Sequence, residues 1–586
     1  MILRNEYPRP QFKRFEFQSL NGVWNFDFDD DTKIFKRNSF MNLDLEKKII
    51  VPFTYQTRLS GINDLSRHEN MVYERVFDLD ENLRGKNVIL NFNAVDNICK
   101  VYLNGHFVGE HFDGYSAFKF DVSEYILDKD NHLVVYVNDN YDPTIPRGKQ
   151  YWDGNSSRCW YNANSGIWQS VWLESFEEDY IDVSFITPNI DANSVKFLIE
   201  SKYGVANEAL IEIYYKEKKV RKLRIDFEGK DANVEVLLCA DDYIDELHYW
   251  TVDNPNLYDV RLTLFKDEKI LDTVDTYFGF RKIHVDENGD ICLNNKKIYQ
   301  RLILDQGYFD GGDLTPSDVE ELKRDILIAK EMGFNGARKH QKIEDPYFYY
   351  YADKLGYLVW AEIPSPYNFN HHEVKYMNDL IQNVVKQLYN HPSIITWVPF
   401  NESWGVRKAL TDFKQKSLVK SSYYLIKSLD ESRLVDSNDG WENVSETDFI
   451  SIHDYSATGD DFEVKYRRDN LNTVQPMGRK LMAYGERYNN HPVLLTEYGG
   501  LSMVKEVGEN FFGYHIASDE EKLLLDLTHL QENVRKCDFN GFCYTQLTDV
   551  KQETNGLLDA KHNPKYDLKA IRKIMFGNYE GKDFFN

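Results

Sequence analysis

Two periodicities divide the chain. Between Leu20 and about Phe280, short apolar runs recur between turn residues, as at residues 87–92, 100–103 and 132–137, with Asn104-Gly105 directly after the second. Side chains alternate faces along a strand, and Asn-Gly supplies the left-handed pair that a two-residue hairpin turn needs. These runs therefore predict antiparallel strands. Regular short strands without helical spacing describe β-sandwiches, and the span is too long for one of them. Residues 166–173, rich in Ile, Trp and Val, read as a closing strand and place a boundary near residue 178.

After Arg281 the pattern changes. Strand-like runs at residues 298–304, 357–360, 394–398, 449–452, 493–496 and 541–544 alternate with stretches of helical spacing, among them residues 380–388 and 409–429. Thr315-Pro316-Ser317-Asp318 predicts a helix start, with Thr315 as N-cap, Pro316 in the first turn and Asp318 beside the positive end. Val319, Leu322, Ile326, Ala329 and Met332 then share one face, and Gly333 ends the helix. About 300 residues of such alternation suit a (β/α)8 TIM barrel, typically ~250 residues before insertions. A doubly wound sheet is the alternative, but no Gly-rich phosphate loop follows the first strand. The expected division is a sandwich at 1–178, a second sandwich at 179–282 and a barrel at 283–586.

Composition narrows the function. The 586 residues carry a formal charge of -25, a field that repels nucleic acid and anionic membrane. Hydrophobic residues at 42% and aromatics at 15% are enough for a large core. No apolar stretch approaches a membrane span, and the opening MILRNEYPRPQFKRFEF has no apolar signal core. The six cysteines are scattered without the spacing of a zinc site or disulfide framework. A reduced, cytoplasmic setting is the expectation.

In a barrel the chemistry sits where strands end. Three predicted strands finish on acids: Glu362, Glu402 and Glu497. Others finish on Asp305, on Arg338 with His340, on His453 with Tyr455, and on Tyr544 with Gln546. A single glutamate is most often a solvated loop residue. Two that end separate apolar strands, in Val-Pro-Phe-Asn401-Glu402-Ser-Trp404-Gly and Leu-Leu-Thr-Glu497-Tyr-Gly-Gly, are harder to explain that way. Ring faces stack on a sugar's C–H surface while paired carboxyls handle the glycosidic oxygen. A divalent metal is the rival use for paired carboxylates, but the rim lacks clustered His and Asp ligands.

At these residues the chain resembles glycoside hydrolase family 2, the family of β-galactosidases and β-glucuronidases. The resemblance runs from Leu20-Asn21-Gly22-Val23-Trp24 through Trp160-Tyr161-Asn162 and Gly166-Ile167-Trp168. In the barrel it covers Gly333-Phe334-Asn335 with Arg338, His391-Pro392-Ser393, Asn401-Glu402 and Glu497-Tyr498-Gly499. It implies a jelly-roll-like sandwich, an immunoglobulin-like sandwich and a TIM barrel, with Glu402 as general acid/base and Glu497 as nucleophile. Asn401 would hold the sugar 2-hydroxyl, Tyr455 would bond the nucleophile, Arg338 would orient the carboxylates, and Tyr544 would be an aromatic platform. Asp305, His340, His453 and Trp404 join the expected substrate-binding set. Trp397, Phe400 and Trp404 would give Glu402 an apolar surround that keeps its proton.

Two departures from the family pattern sharpen the expectation. Pro366 and Asn368 stand where some members place Mg²⁺ ligands, so neither metal nor cofactor is implied. The Asn-x-Lys that reads a glucuronide carboxylate is absent, and Glu553 stands nearby. These favour a retaining exo-β-glycosidase for neutral sugars, with β-galactosidase as the best single reading. The alternatives are a β-uronidase with Lys339 or Lys342 as reader, a β-xylosidase or arabinosidase, and a catalytically silent carbohydrate-binding relative. The partner is a carbohydrate; oligomeric state is open.

Overall fold

The computed structural model describes residues 4–577, apart from 38–39, 42, 228, 240–245, 507 and 509–510; the last stretch of the expected barrel segment, 578–586, lies outside the described residues. A six-stranded antiparallel sheet, running Lys47–Val51, Gly22–Phe28, Asn70–Phe77, Asn131–Asn138, Ile98–Leu103 and His106–Phe112 in spatial order, forms one layer of the first sandwich. A four-stranded sheet that includes Asn87–Phe92 and Val171–Phe176 forms the other. The inward faces of both sheets bury Trp24, Tyr73, Leu90, Val101, Val135 and Leu173 in one core. Asn104 and Gly105, at φ +52° and +82°, make the tight turn expected of them between Ile98–Leu103 and His106–Phe112. The predicted closing strand is two pieces, Gly166–Ile167 and Val171–Phe176, interrupted by a short turn.

The second sandwich packs a three-stranded sheet (Ile181–Asn189, Ser194–Ser201, Asp231–Leu237) on a five-stranded one. The N-terminal strand Phe12–Lys13 crosses over to pair with Lys269–Phe278 at the edge of that five-stranded sheet, so the first residues of the chain tie the two sandwiches together.

The third unit is an eight-stranded parallel sheet in a ring. Its strands are β1 (Gln300–Asp305), β2 (Gly336–Lys339), β3 (Leu358–Glu362), β4 (Ile394–Val398), β5 (Leu434–Val435), β6 (Ile450–His453), β7 (Val493–Gly499) and β8 (Gly541–Thr545). Parallel ladders join β5-β4-β3-β2-β1-β8-β7-β6 in that order, and β5 meets β6 through Asp448, whose backbone N–H donates to the Val435 carbonyl at 2.9 Å. Around it lie α1 (Val319–Glu331), α2 (Pro346–Leu355), α3 (His371–Leu388), α4 (Phe413–Leu429), the single turn α5 (Phe462–Lys465), α6 (Glu520–Lys536) and α7 (Leu568–Phe576). Alternate strand residues serve two cores. Leu302, Leu304, Trp360, Ile395, Val398, Leu494 and Cys543 fill the barrel, while Ile303, Ala337, Val359, Trp397, Phe542 and Tyr544 pack outward against the helices.

The cap of α1 differs from expectation. Asp318, not Thr315, is the N-cap, its carboxylate accepting from the Glu320 N–H at 2.9 Å. The Thr315 hydroxyl instead donates to the Trp168 carbonyl at 2.6 Å, joining the barrel to the first sandwich. A threonine before proline is biased to extended backbone, and here a tertiary acceptor takes the hydroxyl that a local cap would use.

Candidate active site

The site begins at a turn. After β4 the chain passes Phe400 and Asn401, and Glu402 and Ser403 both adopt left-handed backbone, at φ +52° and +58°. Two such non-glycine residues cost ~1–3 kcal/mol each. The neighbouring segment after β5 holds them there: Glu402 N–H donates to the Asp439 carbonyl at 2.9 Å and Ser403 N–H to the Asn438 side chain at 3.0 Å. The turn aims the Glu402 carboxyl over the barrel mouth.

Arg338, fully buried at the end of β2, is the hub beneath. It donates to Glu362 at 2.7 Å, to the Asn401 side-chain oxygen at 3.0 Å, to Glu497 at 3.2 Å and to the Thr496 carbonyl at 2.6 Å, and it lies against Asp439. Burying one guanidinium with three acids is tolerable only because nearly every donor is matched. Burial opposes the charge on Glu362, yet Arg338 and His340 hold its carboxyl down at about 2. His340 sits 2.9 Å from it and Gln341 adds a backbone N–H at 3.0 Å. Among the described residues the amide Nδ2 of Asn401 has no partner, a buried donor available to a ligand hydroxyl.

Glu497 and Glu402 face each other across His453. The imidazole Nδ1 is 2.9 Å from Glu402 and 3.5 Å from Glu497, and Nε2 is 3.3 Å from Asp439. Burial disfavours an imidazolium, but the surrounding Glu497 and Asp439 charges push His453 up to about 10, so it is charged at neutral pH. Burial likewise penalises a charged Glu497, and His453 and Arg338 overcome it, leaving its carboxyl below the ordinary range. The Tyr455 hydroxyl donates to Glu497 at 2.6 Å, and the Tyr455 ring stacks on Tyr514 at 3.5 Å between centroids. One ligand atom from each of Glu402, His453 and Glu497 lies within 4.8 Å of the others, a set that could also hold a divalent cation.

Eight of the ten expected residues come together: Arg338, His340, Asn401, Glu402, Trp404, His453, Tyr455 and Glu497. Two do not. Asp305, the last residue of β1, turns outward and pairs with Lys339 at 2.8 Å, beyond the barrel wall. Tyr544 is 1% exposed and packs outward against Tyr498, so it offers no platform; its neighbour Thr545 faces the site and meets the Tyr455 hydroxyl at 3.1 Å. Both corrections follow from parity, because adjacent strand residues point to opposite faces. Trp397 and Phe400 also belong to the outer layer, Trp397 donating to Asp430 at 2.8 Å. Glu402 therefore has His453 beside it where an apolar surround was expected. Lys339 and Lys342, the carboxylate readers of the uronidase alternative, are buried outside the pocket and bonded to Glu344.

Other groups were missed. Asp439 completes the Arg338–His453 cluster from the loop after β5, a two-residue strand too short to signal itself, although Asp436-Ser437-Asn438-Asp439-Gly440 is a polar run in the right place. From the first sandwich, residues 149–161 reach over the barrel mouth. Trp160 lies 4.7 Å from Trp404 and Trp152 stacks on Tyr367 at 3.8 Å, giving an aromatic wall.

Facing glutamates with an arginine hub at the mouth of a TIM barrel are the equipment of a glycoside hydrolase. The chain matches three family descriptions in succession: "Glycosyl hydrolases family 2, sugar binding domain" over residues 17–176, "Glycosyl hydrolases family 2" over 179–281 and "Glycosyl hydrolases family 2, TIM barrel domain" over 284–577. It belongs to that family. It is similar to a putative β-glucuronidase of Formosa agariphila, 25% identical over 457 residues, covering 74% of this chain and 52% of the relative. A β-galactosidase of Thermoanaerobacter pseudethanolicus is 29% identical over 341 residues, covering 56% and 44%. The chain thus spans about half the length of these relatives. Among solved structures, a family 2 β-galacturonidase from Eisenbergiella tayi shares the fold with TM-score 0.74 at 19% identity, over 98% of both chains.

Proposed function

We propose that the chain is a retaining exo-β-glycosidase that removes a terminal β-linked uronic acid. The observation that carries the retaining reaction is the closeness of the two carboxyls: one oxygen of Glu402 and one of Glu497 lie within 4.8 Å, bridged by His453. Inverting enzymes need ~6.5–9.5 Å to admit a water between the pair, and retaining ones ~5–5.5 Å. In this reading Glu497 attacks the anomeric carbon while Glu402 protonates the departing oxygen; the C1–O glycosidic bond breaks as a C1–O ester forms. Water then attacks C1, Glu402 takes its proton, and the ester bond breaks. Arg338, His453 and Tyr455 keep Glu497 ionised and oriented, and Asn401 Nδ2 donates to the sugar 2-hydroxyl.

For the sugar, curated β-glucuronidases stand among the relatives, one of them from Streptococcus agalactiae matched over 82% of both chains. These support a uronide better than the neutral sugar expected from the missing Asn-x-Lys. Neutral β-D-galactosides are the second reading, favoured by the β-galactosidase relatives. The test is kinetics on p-nitrophenyl β-D-glucuronide, β-D-galacturonide, β-D-galactoside and β-D-xyloside, with proton NMR of the first anomer released. A uronide should lead by about 10-fold or more in kcat/KM and release the β-anomer first. A galactoside preferred over both uronides restores the second reading, α-anomer first refutes retention, and no hydrolysis of any glycoside leaves a silent binding protein.

A further inference from the structure

The first sandwich sends one cation into the barrel's pocket. Residues 147–149 are pinned against the barrel: the Arg147 and Gly148 N–H groups donate to the Ser365 carbonyl at 3.2 and 3.1 Å. Gly148, at φ +58°, passes so close to β2's following loop that a Cβ would stand 2.0 Å from the Gln341 carbonyl oxygen, so only glycine fits. Arg147 pairs with Asp139 through both terminal nitrogens, at 2.6 and 2.9 Å. Lys149 is not matched.

The Lys149 residue is 5% exposed, and its ammonium lies 5.3 Å from the ring centres of Tyr161 and Trp404 and 5.8 Å from that of Trp160. Among the described residues it has no hydrogen-bond or ion-pair partner, whereas the more deeply buried Lys339 and Lys342 each have several. Burial disfavours its charge, but Cys159, Glu553, Glu497 and Glu402 around it hold its pKa above the ordinary value. Glu553, one of these carboxylates, accepts from the Tyr161 hydroxyl, and burial raises its carboxyl above the ordinary value. A largely buried lysine with no protein partner, its Nζ still open to the pocket, is a costly arrangement unless water or a ligand anion meets it.

We propose that Lys149 is the specificity-determining cation of this site and pairs with the carboxylate of a uronic acid bound over Glu497, the ring cage of Trp160, Tyr161 and Trp404 fixing its position. It does from the first sandwich what an Asn-x-Lys after β8 would do from the barrel. This rests on the uronide reading above. The competing role, an ammonium that merely balances the pocket's glutamates, acts on every substrate alike.

The ratio of kcat/KM for p-nitrophenyl β-D-glucuronide or β-D-galacturonide to that for the β-D-galactoside separates the two. In Lys149→Met the ratio should fall about 100-fold, the usual loss on removing one partner of a desolvated charge pair, and Lys149→Arg should recover part of it. Competitive inhibition by free glucuronate or galacturonate should weaken in parallel while inhibition by galactose does not. Uronide cleavage by the wild type with an unchanged ratio in Lys149→Met overturns the assignment alone. A wild type that cleaves no uronide overturns the substrate reading and this assignment with it. Should Lys149→Met fail to fold, Lys149→Gln carries the same comparison.

Discussion

Removing one oxygen atom tests the electrostatics of the proposed nucleophile. In Tyr455→Phe the ring keeps its stack on Tyr514, at 3.5 Å and 2° between planes, so packing is preserved and what is lost is the hydroxyl's 2.6 Å bond to Glu497 with its weaker 3.1 Å contact to Thr545. A hydrogen bond to a charged group contributes about 1.5–3 kcal/mol net, and 1.36 kcal/mol is tenfold, so kcat/KM at neutral pH should fall about 10- to 100-fold. The pH profile gives the more specific readout. Glu497 is held below the ordinary carboxyl range although its burial works the other way; His453 and Arg338 supply most of the opposing field. Taking a donor from the charged form raises its proton affinity, so the protonated, inactive form persists to higher pH and the acid limb of kcat/KM moves up. The limb cannot vanish, because Arg338 and His453 remain. The assay is kcat/KM across the acid and neutral range for wild type and variant, with thermal unfolding as a control on the fold. An acid limb that stays in place or moves to lower pH, or a rate within about threefold of wild type, refutes the argument.

Two further outcomes test the site. Glu497→Gly should abolish turnover and, with azide, give an α-glycosyl azide, whereas Glu402→Gly should give the β-azide and spare substrates with good leaving groups; the opposite anomers would mean the roles are exchanged. Exhaustive EDTA treatment should change kcat/KM less than about twofold, since Pro366 stands at one expected ligand position and His453 is charged; a large loss restored by Mg²⁺ or Mn²⁺ would make Glu402, His453 and Glu497 ligands.

The alternation of apolar runs and helical stretches is a local property, and it was enough to separate the sandwiches from the barrel and to place Glu402 and Glu497 near strand ends, the first in the turn after β4 and the second within the last residues of β7. Asn104-Gly105 needed nothing beyond its own backbone preferences to become the hairpin turn. Local pattern failed where a single residue of parity decides the face. Asp305 ends its strand and Tyr544 stands one residue short of the end of its own, yet each points through the barrel wall, because the ring's closure fixes which alternate set is inside. It failed again at β5, where two residues are enough for a strand only because β4 holds them and the Asp448 backbone N–H caps the last carbonyl, and so Asp439 went unseen. Lys339 and Lys342 read as rim lysines, but Glu344 and Asp305, buried with them, draw both away from the pocket. Lys149 was illegible for the plainest reason. It lies in another sandwich, far upstream, and reaches the pocket through Gly148's approach to Gln341 and the backbone bonds to Ser365, contacts that exist only once both domains have folded and docked.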